Sequence, residues 1–263
     1  MKNQVFSHFF IIVLFCLNTS FADTIQPLQL LQKVPLKTVT GRIDHMSIDV
    51  KGNRLFIAAL EHNSLEVIDL SAQKDIYTIP HLHEPQGVLF ISDNDTLVVA
   101  NEGTGSCQIY DGSSLQFLKK IHVGEDADNL RKKVVEVWKL DGTKDNFPMA
   151  LDEENHRLFI GCRSPAQMLV IDTNAGALKV KLAICDDVDD LFYDSRSKKI
   201  YASCGSGIVQ VIHQVDVDSY ETIAKITTSP GARTSLLVEE QNRFYLAVPE
   251  KDKEPAAIWI YQL

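Results

Sequence analysis

Leu55-Phe56-Ile57-Ala58-Ala59, followed after a polar stretch by Leu65-Glu66-Val67-Ile68-Asp69, sets a pattern that returns four more times along the chain. Leu97-Val98-Val99-Ala100-Asn101 leads to Cys107-Gln108-Ile109-Tyr110-Asp111, and Leu158-Phe159-Ile160-Gly161-Cys162 leads to Leu169-Val170-Ile171-Asp172. Ile200-Tyr201-Ala202-Ser203-Cys204 leads to Val209-Gln210-Val211-Ile212-His213, and Phe244-Tyr245-Leu246-Ala247-Val248 leads to Ile258-Trp259-Ile260-Tyr261. Short apolar runs bounded by turn residues such as Asp49-Val50-Lys51-Gly52-Asn53 read as strands joined by hairpins. The fourth position of each run is small (Ala58, Ala100, Gly161, Ser203, Ala247), which predicts close approach of a neighbouring sheet. The second position carries Phe56, Val98, Phe159, Tyr201 and Tyr245, as suits strands packed face to face. No segment has a helical period.

The runs start at positions 55, 97, 158, 200 and 244, at intervals of 42, 61, 42 and 44. A unit of about forty to forty-five residues holding four strands is the blade of a β-propeller. A β-sandwich would not recur at such a period. Each innermost strand precedes its turn: Met46 to Val50, Val88 to Ile91, Met149 to Asp152, Leu191 to Tyr193 and Leu236 to Val238. Outermost strands follow the second run at Leu118 to Val123, Leu178 to Leu182 and Thr222 to Ile226. The last blade lacks one. Leu30-Leu31-Gln32-Lys33-Val34-Pro35-Leu36 has the missing pattern, and pairing there closes the ring and removes an open edge. The fold class expected is all-β: a propeller of four-stranded blades, closed by an N-terminal strand.

The interval of 61 exceeds one blade by too little to hold another. Asp126 to Arg131 reads as the entry to an innermost strand and Lys133 to Leu140 as an outermost strand, with the two inner strands between them absent. Five full blades and a remnant are expected, the truncated region spanning 126–141.

The chain has 263 residues, with 26 basic and 35 acidic side chains giving a formal charge of −9. That balance argues against nucleic acid as a partner, because phosphate neutralisation supplies most of that affinity. Residues 1–22 read as a signal peptide. Lys2 precedes the apolar Phe9 to Leu17, and Ser20-Phe21-Ala22 offers small residues before Asp23. Nine apolar residues cannot cross the roughly 30 Å core of a bilayer. A propeller domain over 23–263, with no membrane span and a periplasmic or secreted location, is the expectation.

Several stretches resemble the YVTN-type exported bacterial propellers, also called YncE-like. Leu97 to Asn101 followed by Gln108-Ile109-Tyr110-Asp111 matches the family's repeat. Gly41-Arg42-Ile43-Asp44-His45, Asp126-Ala127-Asp128-Asn129, Asn146 to Asp152 and Gly231 to Leu236 look like one subgroup of its exported members. The resemblance covers nearly all of the chain beyond residue 22. It implies a seven-bladed parent, from which about 67 residues, some one and a half blades, are missing between Arg131 and Lys132. It attaches no activity to particular residues.

Loops entering the innermost strands converge on one mouth of a propeller's channel. Eleven residues before each run lie Asp44, Gln86, Phe147, Asp189 and Arg233, with Arg42, His45, Asp126, Asp128, Asn129, Arg131, Asn146, Asp187 and Asp190 beside them. This funnel is the expected ligand site. Two arrangements compete there. The carboxylates could hold a Ca²⁺-like cation, with Asp44, Asp128 and Asp189 as ligands, and so polarise a lactone or ester carbonyl. Alternatively Arg42, Arg131 and Arg233 neutralise them, as buried charges require. Neutralisation is favoured, and His45 is read as hydrogen-bonded and structural before base or ligand. A binding or scaffold module, for an unidentified protein or small molecule, is therefore expected ahead of a metal-dependent lactonase-like hydrolase or a non-functional remnant.

The remaining motifs carry less. Gly103-Thr104-Gly105 and Gly205-Ser206-Gly207 precede no helix and do not form a phosphate loop. Among Cys107, Cys162, Cys185 and Cys204, the second and fourth occupy one strand position in adjacent blades, beyond the roughly 7 Å Cα limit of a disulfide. Free thiols are expected.

Overall fold

The computed structural model describes residues 26–124, 137–140 and 142–263. They form five four-stranded antiparallel sheets, with no α-helix among them. The first blade comprises β2 (Met46–Asp49), β3 (Arg54–Ala59), β4 (Ser64–Asp69) and β5 (Lys74–Ile79). The second comprises β6 (Pro85–Ile91), β7 (Thr96–Asn101), β8 (Ser106–Asp111) and β9 (Phe117–His122). In the third are β10 (Lys144–Asp152), β11 (Arg157–Ser164), β12 (Ala166–Asp172) and β13 (Ala177–Ala183), and in the fourth β14 (Val188–Asp194), β15 (Lys199–Cys204), β16 (Ile208–Asp216) and β17 (Ser219–Thr227). The fifth joins β18 (Ser235–Val238), β19 (Arg243–Val248) and β20 (Ala256–Gln262) to the N-terminal β1 (Gln29–Leu36), which pairs antiparallel with β20. The expected closure by an N-terminal strand is what the chain adopts.

The run pattern explains how blades stack. Side chains alternate between the two faces of a strand, so the first and third positions of a run face one neighbouring blade and the second faces the other. Phe56 packs with Leu97 and Val99 of the second blade, and Phe159 with Ile200 and Ala202 of the fourth. Tyr201 packs with Phe244 and Leu246 of the fifth, and Tyr245 with Leu55 and Ile57 of the first. All four aromatic rings are buried. The small fourth position serves the same interface. A Cβ on Gly161 would lie 3.1 Å from Val188 of the next blade, and Ser203 Oγ hydrogen-bonds Ser235 Oγ across blades at 2.7 Å.

Val98 breaks the series. It is only half-buried, and no comparable packing joins the second blade to the third among the described residues. Leu89 and Ile121 on one side, and Met149 and Leu151 on the other, are exposed. The anomalous interval of 61 falls at this place.

Two expectations change here. Val137–Leu140 is not a strand; Trp138 and Leu140 instead lie against Ile160, Cys162, Leu169 and Ile171 on the open face of the third blade. A strand there had lost the partner it was meant to edge, so its two large apolar side chains cover the blade face instead. Lys133 to Glu136, the entry at Asp126 to Arg131, and the proposed signal peptide lie outside the described residues. The expectation of free thiols fails for one pair, since Cys185 and Cys204 form a disulfide with Cα atoms 5.9 Å apart. Both belong to the fourth blade, Cys185 just before β14 and Cys204 at the end of its partner β15. Comparing equal positions across blades could not reveal a bond within one. Cys107 and Cys162 are free and buried.

Candidate functional site

Asp44, Gln86, Phe147, Asp189 and Arg233, each drawn from a different blade, line one cavity of about 410 Å³ at the channel mouth. Arg42, His45, Arg163 and Asp190 share it. The equal offset from each run put these residues on the same turn of successive blades, and blade symmetry does the rest. Asp187 does not line the cavity, but it bonds to Arg163 and Arg233, which do. Asn146 lies on β10 opposite Cys162 and does not line the cavity. Asp128, Asn129 and Arg131 are outside the described residues.

Asp44 is 1% exposed. Its Oδ2 accepts from Arg42 at 2.6 Å and its Oδ1 lies 2.7 Å from His45 Nδ1. Burial alone would raise the Asp44 carboxyl, yet His45 and Arg42 together hold it below its ordinary value.

Across the channel, Arg163 and Arg233 grip two carboxylates between them. Arg233 donates to Asp187 Oδ2 at 2.7 Å and lies 3.1 Å from Asp189 Oδ2. Arg163 lies 3.2 Å from Asp187 Oδ1, bonds Asp189, and donates from Nε to the Val188 carbonyl at 2.9 Å. Its guanidinium also stacks on the Phe147 ring at 4.8 Å. Burial opposes the charge on Arg233, but Asp187 and Asp189 raise its affinity for the proton. Asp187 adopts a left-handed φ of 61°. The Cys185–Cys204 disulfide anchors that turn, and a Cβ on Gly205 would come within 2.0 Å of the Asp187 carboxylate.

Asp190 has a different environment. It accepts a hydrogen bond from the Ser235 backbone N–H at 2.5 Å, and no guanidinium reaches it among the ion pairs of the described residues. Burial pushes its carboxyl up to about 7, against the opposing pull of His45 and the Ser235 amide.

Arg163 and Glu102, whose carboxylate accepts from Gln86 Nε2, escaped the sequence reading. Each directly follows a five-residue run. A strand running antiparallel to the innermost one ends at the mouth where that innermost strand begins, so the residue after the run was a detectable signal.

Asp44 and Asp189, the two described residues named for a cation, do not form a site for one between them. A Ca²⁺ site takes six to eight oxygens. Here Asp44 and Asp189 belong to separate ion pairs, a guanidinium already neutralises each, and no group of three or more His, Cys, Asp or Glu converges among the described residues. Neutralisation by arginine, with Arg163 and Arg233 in the leading part, is the arrangement present.

No family model matches the chain. No curated protein matches it either. Solved structures do. A gluconolactonase from Xanthomonas campestris aligns with a TM-score of 0.58 at 12% identity, covering 90% of this chain and 95% of that one. A chain of the mitotic checkpoint complex aligns at 0.53 and 10% identity, covering 100% and 99%. The Cps50 (Swd1) propeller domain of Myceliophteria thermophila aligns at 0.49 and 9% identity, covering 90% and 100%. No helix among the described residues is long and apolar enough to cross a membrane. At such identities the likeness concerns architecture, and the chain is a β-propeller.

Proposed function

We propose that this chain is an exported binding module of the YVTN-type kind, whose channel mouth takes a small polar ligand. The observation that carries the reading is the set of locked ion pairs around an open cavity: Arg42 on Asp44, and Arg163 and Arg233 on Asp187 and Asp189. Side chains held by mutual pairing present their spare donors and acceptors in fixed positions, which lowers the entropy lost on binding. Export is supported by Lys2, the apolar Phe9 to Leu17 and Ser20-Phe21-Ala22, and a disulfide suits an oxidising compartment. Descent from a longer propeller is supported by the open faces of the second and third blades beside the long interval.

Thermal unfolding of the full chain with a panel of sugars, amino acids and carboxylates tests the binding reading. A ligand present at a hundredfold its Kd stabilises by about 2.7 kcal/mol. At least one class is expected to raise Tm, and Arg233→Ala to abolish the effect. No stabilisation by any class, or the same stabilisation in the variant, overturns it.

A second reading rests on the Asp44–His45 pair. Asp44 Oδ1 lies 2.7 Å from Nδ1 of the imidazole, and a histidine beside a buried carboxylate is one kind of general base for activating water in metal-free ester or lactone hydrolysis. Lactone hydrolysis by the wild type, lost in His45→Ala, would make the chain an enzyme.

A further inference from the structure

The arginine and aspartate charges paired around the cavity balance. Among the described residues, Arg42, Arg163 and Arg233 pair with Asp44, Asp187 and Asp189, three against three, and the two other titratable groups of the lining, His45 and Asp190, attract each other. Burial raises the Asp190 carboxyl beside them. A charged ligand entering a half-buried, balanced network leaves one uncompensated charge in a medium of low dielectric, or must displace an existing partner. Neither cost falls on a neutral ligand. A hydroxyl, which donates and accepts at once, can bridge a guanidinium N–H and a carboxylate lone pair without changing the balance. Spare capacity for that exists. A guanidinium carries five N–H donors, and the Arg42 side chain, 40% exposed, gives one of them to Asp44.

The apolar part of the lining sits to one side. Phe147 is 56% exposed and is held by the guanidinium of Arg163, with Met149 next to it on β10. A ring with C–H groups on one face and hydroxyls around its rim matches both halves of the cavity. About 410 Å³ lies near the small end of the usual range for ligand pockets, room for one or two such rings.

Building on the binding reading above, we propose that the ligand is a neutral saccharide ring, its C–H face on Phe147 and its hydroxyls on the Arg42–Asp44 and Arg233–Asp189 pairs. Isothermal titration of the full chain separates charge from shape by using one ring in three charge states. Glucose, galactose and mannose are each compared with the matching uronate and amino sugar. In at least one series the neutral sugar is expected to bind at least tenfold tighter than both charged forms. Phe147→Ala is expected to weaken that binding at least fivefold while Phe147→Trp retains it, both variants being checked for a native circular dichroism spectrum. Two results overturn the proposal: charged members binding as tightly as neutral ones in every series that binds, or no series binding at all. If no saccharide binds while another class from the thermal panel still does, in a manner lost in Arg233→Ala, the binding reading stands and the saccharide falls. If nothing binds the mouth, both fall.

Discussion

Asp189 and Asp190 are neighbours in sequence, yet their carboxyls meet opposite fates. Asp189 faces Arg163 and Arg233, whereas Asp190, without a guanidinium among the described ion pairs, has His45 and the Ser235 backbone N–H as its partners. A carboxyl pushed from 3.8 up to about 7 by burial binds its proton more tightly folded than unfolded. Between about pH 4 and pH 7 the native state therefore carries more protons, and stability falls as pH rises through that window. At 1.36 kcal/mol per unit the loss is on the order of 4 kcal/mol, complete above pH 7. Asp190→Asn keeps an acceptor for Ser235 N–H and has no charge to bury. In urea titrations it is expected to be more stable than the wild type at pH 8 and level with it near pH 4, with a shallower fall between, the remainder coming from Asp75, whose carboxyl burial raises to about 6. A stability gain of Asp190→Asn over the wild type that does not grow from pH 4 to pH 8 would show that the Asp190 carboxyl is not raised. Sequence alone could place Asp44, Gln86, Phe147, Asp189 and Arg233 together, because an equal offset in a repeat is an equal position in space. It could not sort Asp189 from Asp190. Adjacent strand residues point to opposite faces, and the local bulge between Val188 and Asp190 decides which one meets the arginines.

At the scale of the strand, the second run position is where blades lock. Phe159 is fully buried between the third and fourth blades, against Tyr193 and Tyr220 at centroid distances of 5.3 and 5.6 Å. Val98 holds the same position in the second blade, half-buried and with no comparable packing of a next blade against it among the described residues. Phe159→Ala is expected to cost about 3–5 kcal/mol in chemical denaturation, and Val98→Ala about 1 kcal/mol or less. Equal losses would mean that something covers Val98 after all. Most strands were readable from the alternation and the turns. The fourth strand of the first blade, β5, was not singled out, because Lys74-Asp75-Ile76-Tyr77-Thr78-Ile79 mixes a charge pair into the run. It forms because β4 offers it a buried edge, with Thr78 Oγ1 donating to Glu66 at 2.6 Å. Such a strand is held by its neighbour more than by its own composition. The disulfide was missed for a related reason. Cys185 and Cys204 meet through hairpin register within one blade, which spacing between blades does not encode.

Among the described residues, four blade-to-blade contacts, fifth to first, first to second, third to fourth and fourth to fifth, are each a buried apolar cluster. Between the second and third blades there is no such cluster among the described residues. Trp138 and Leu140 shelter only part of the third blade, and Leu89, Ile121, Met149 and Leu151 stay exposed. Each apolar side chain left in water forgoes part of the roughly 1.5–3 kcal/mol that full burial gives. The blades beside the opening should therefore open locally at lower free energy than the rest. Comparing strands of equal rank removes the trivial effect of lying at a sheet edge. Amides of β9 are expected to exchange with deuterium faster than those of β17, both outermost strands, and amides of β10 faster than those of β14, both innermost. If the long interval marks a loss from a seven-bladed parent, inserting a blade and a half of about 67 residues between Arg131 and Lys132 supplies the missing faces. The insertion should slow exchange in β9 and β10 and leave β14 and β17 as they were. Protection in β9 and β10 already equal to that in β17 and β14 would mean that the ring is sealed as it stands, and the insertion would then bring no gain.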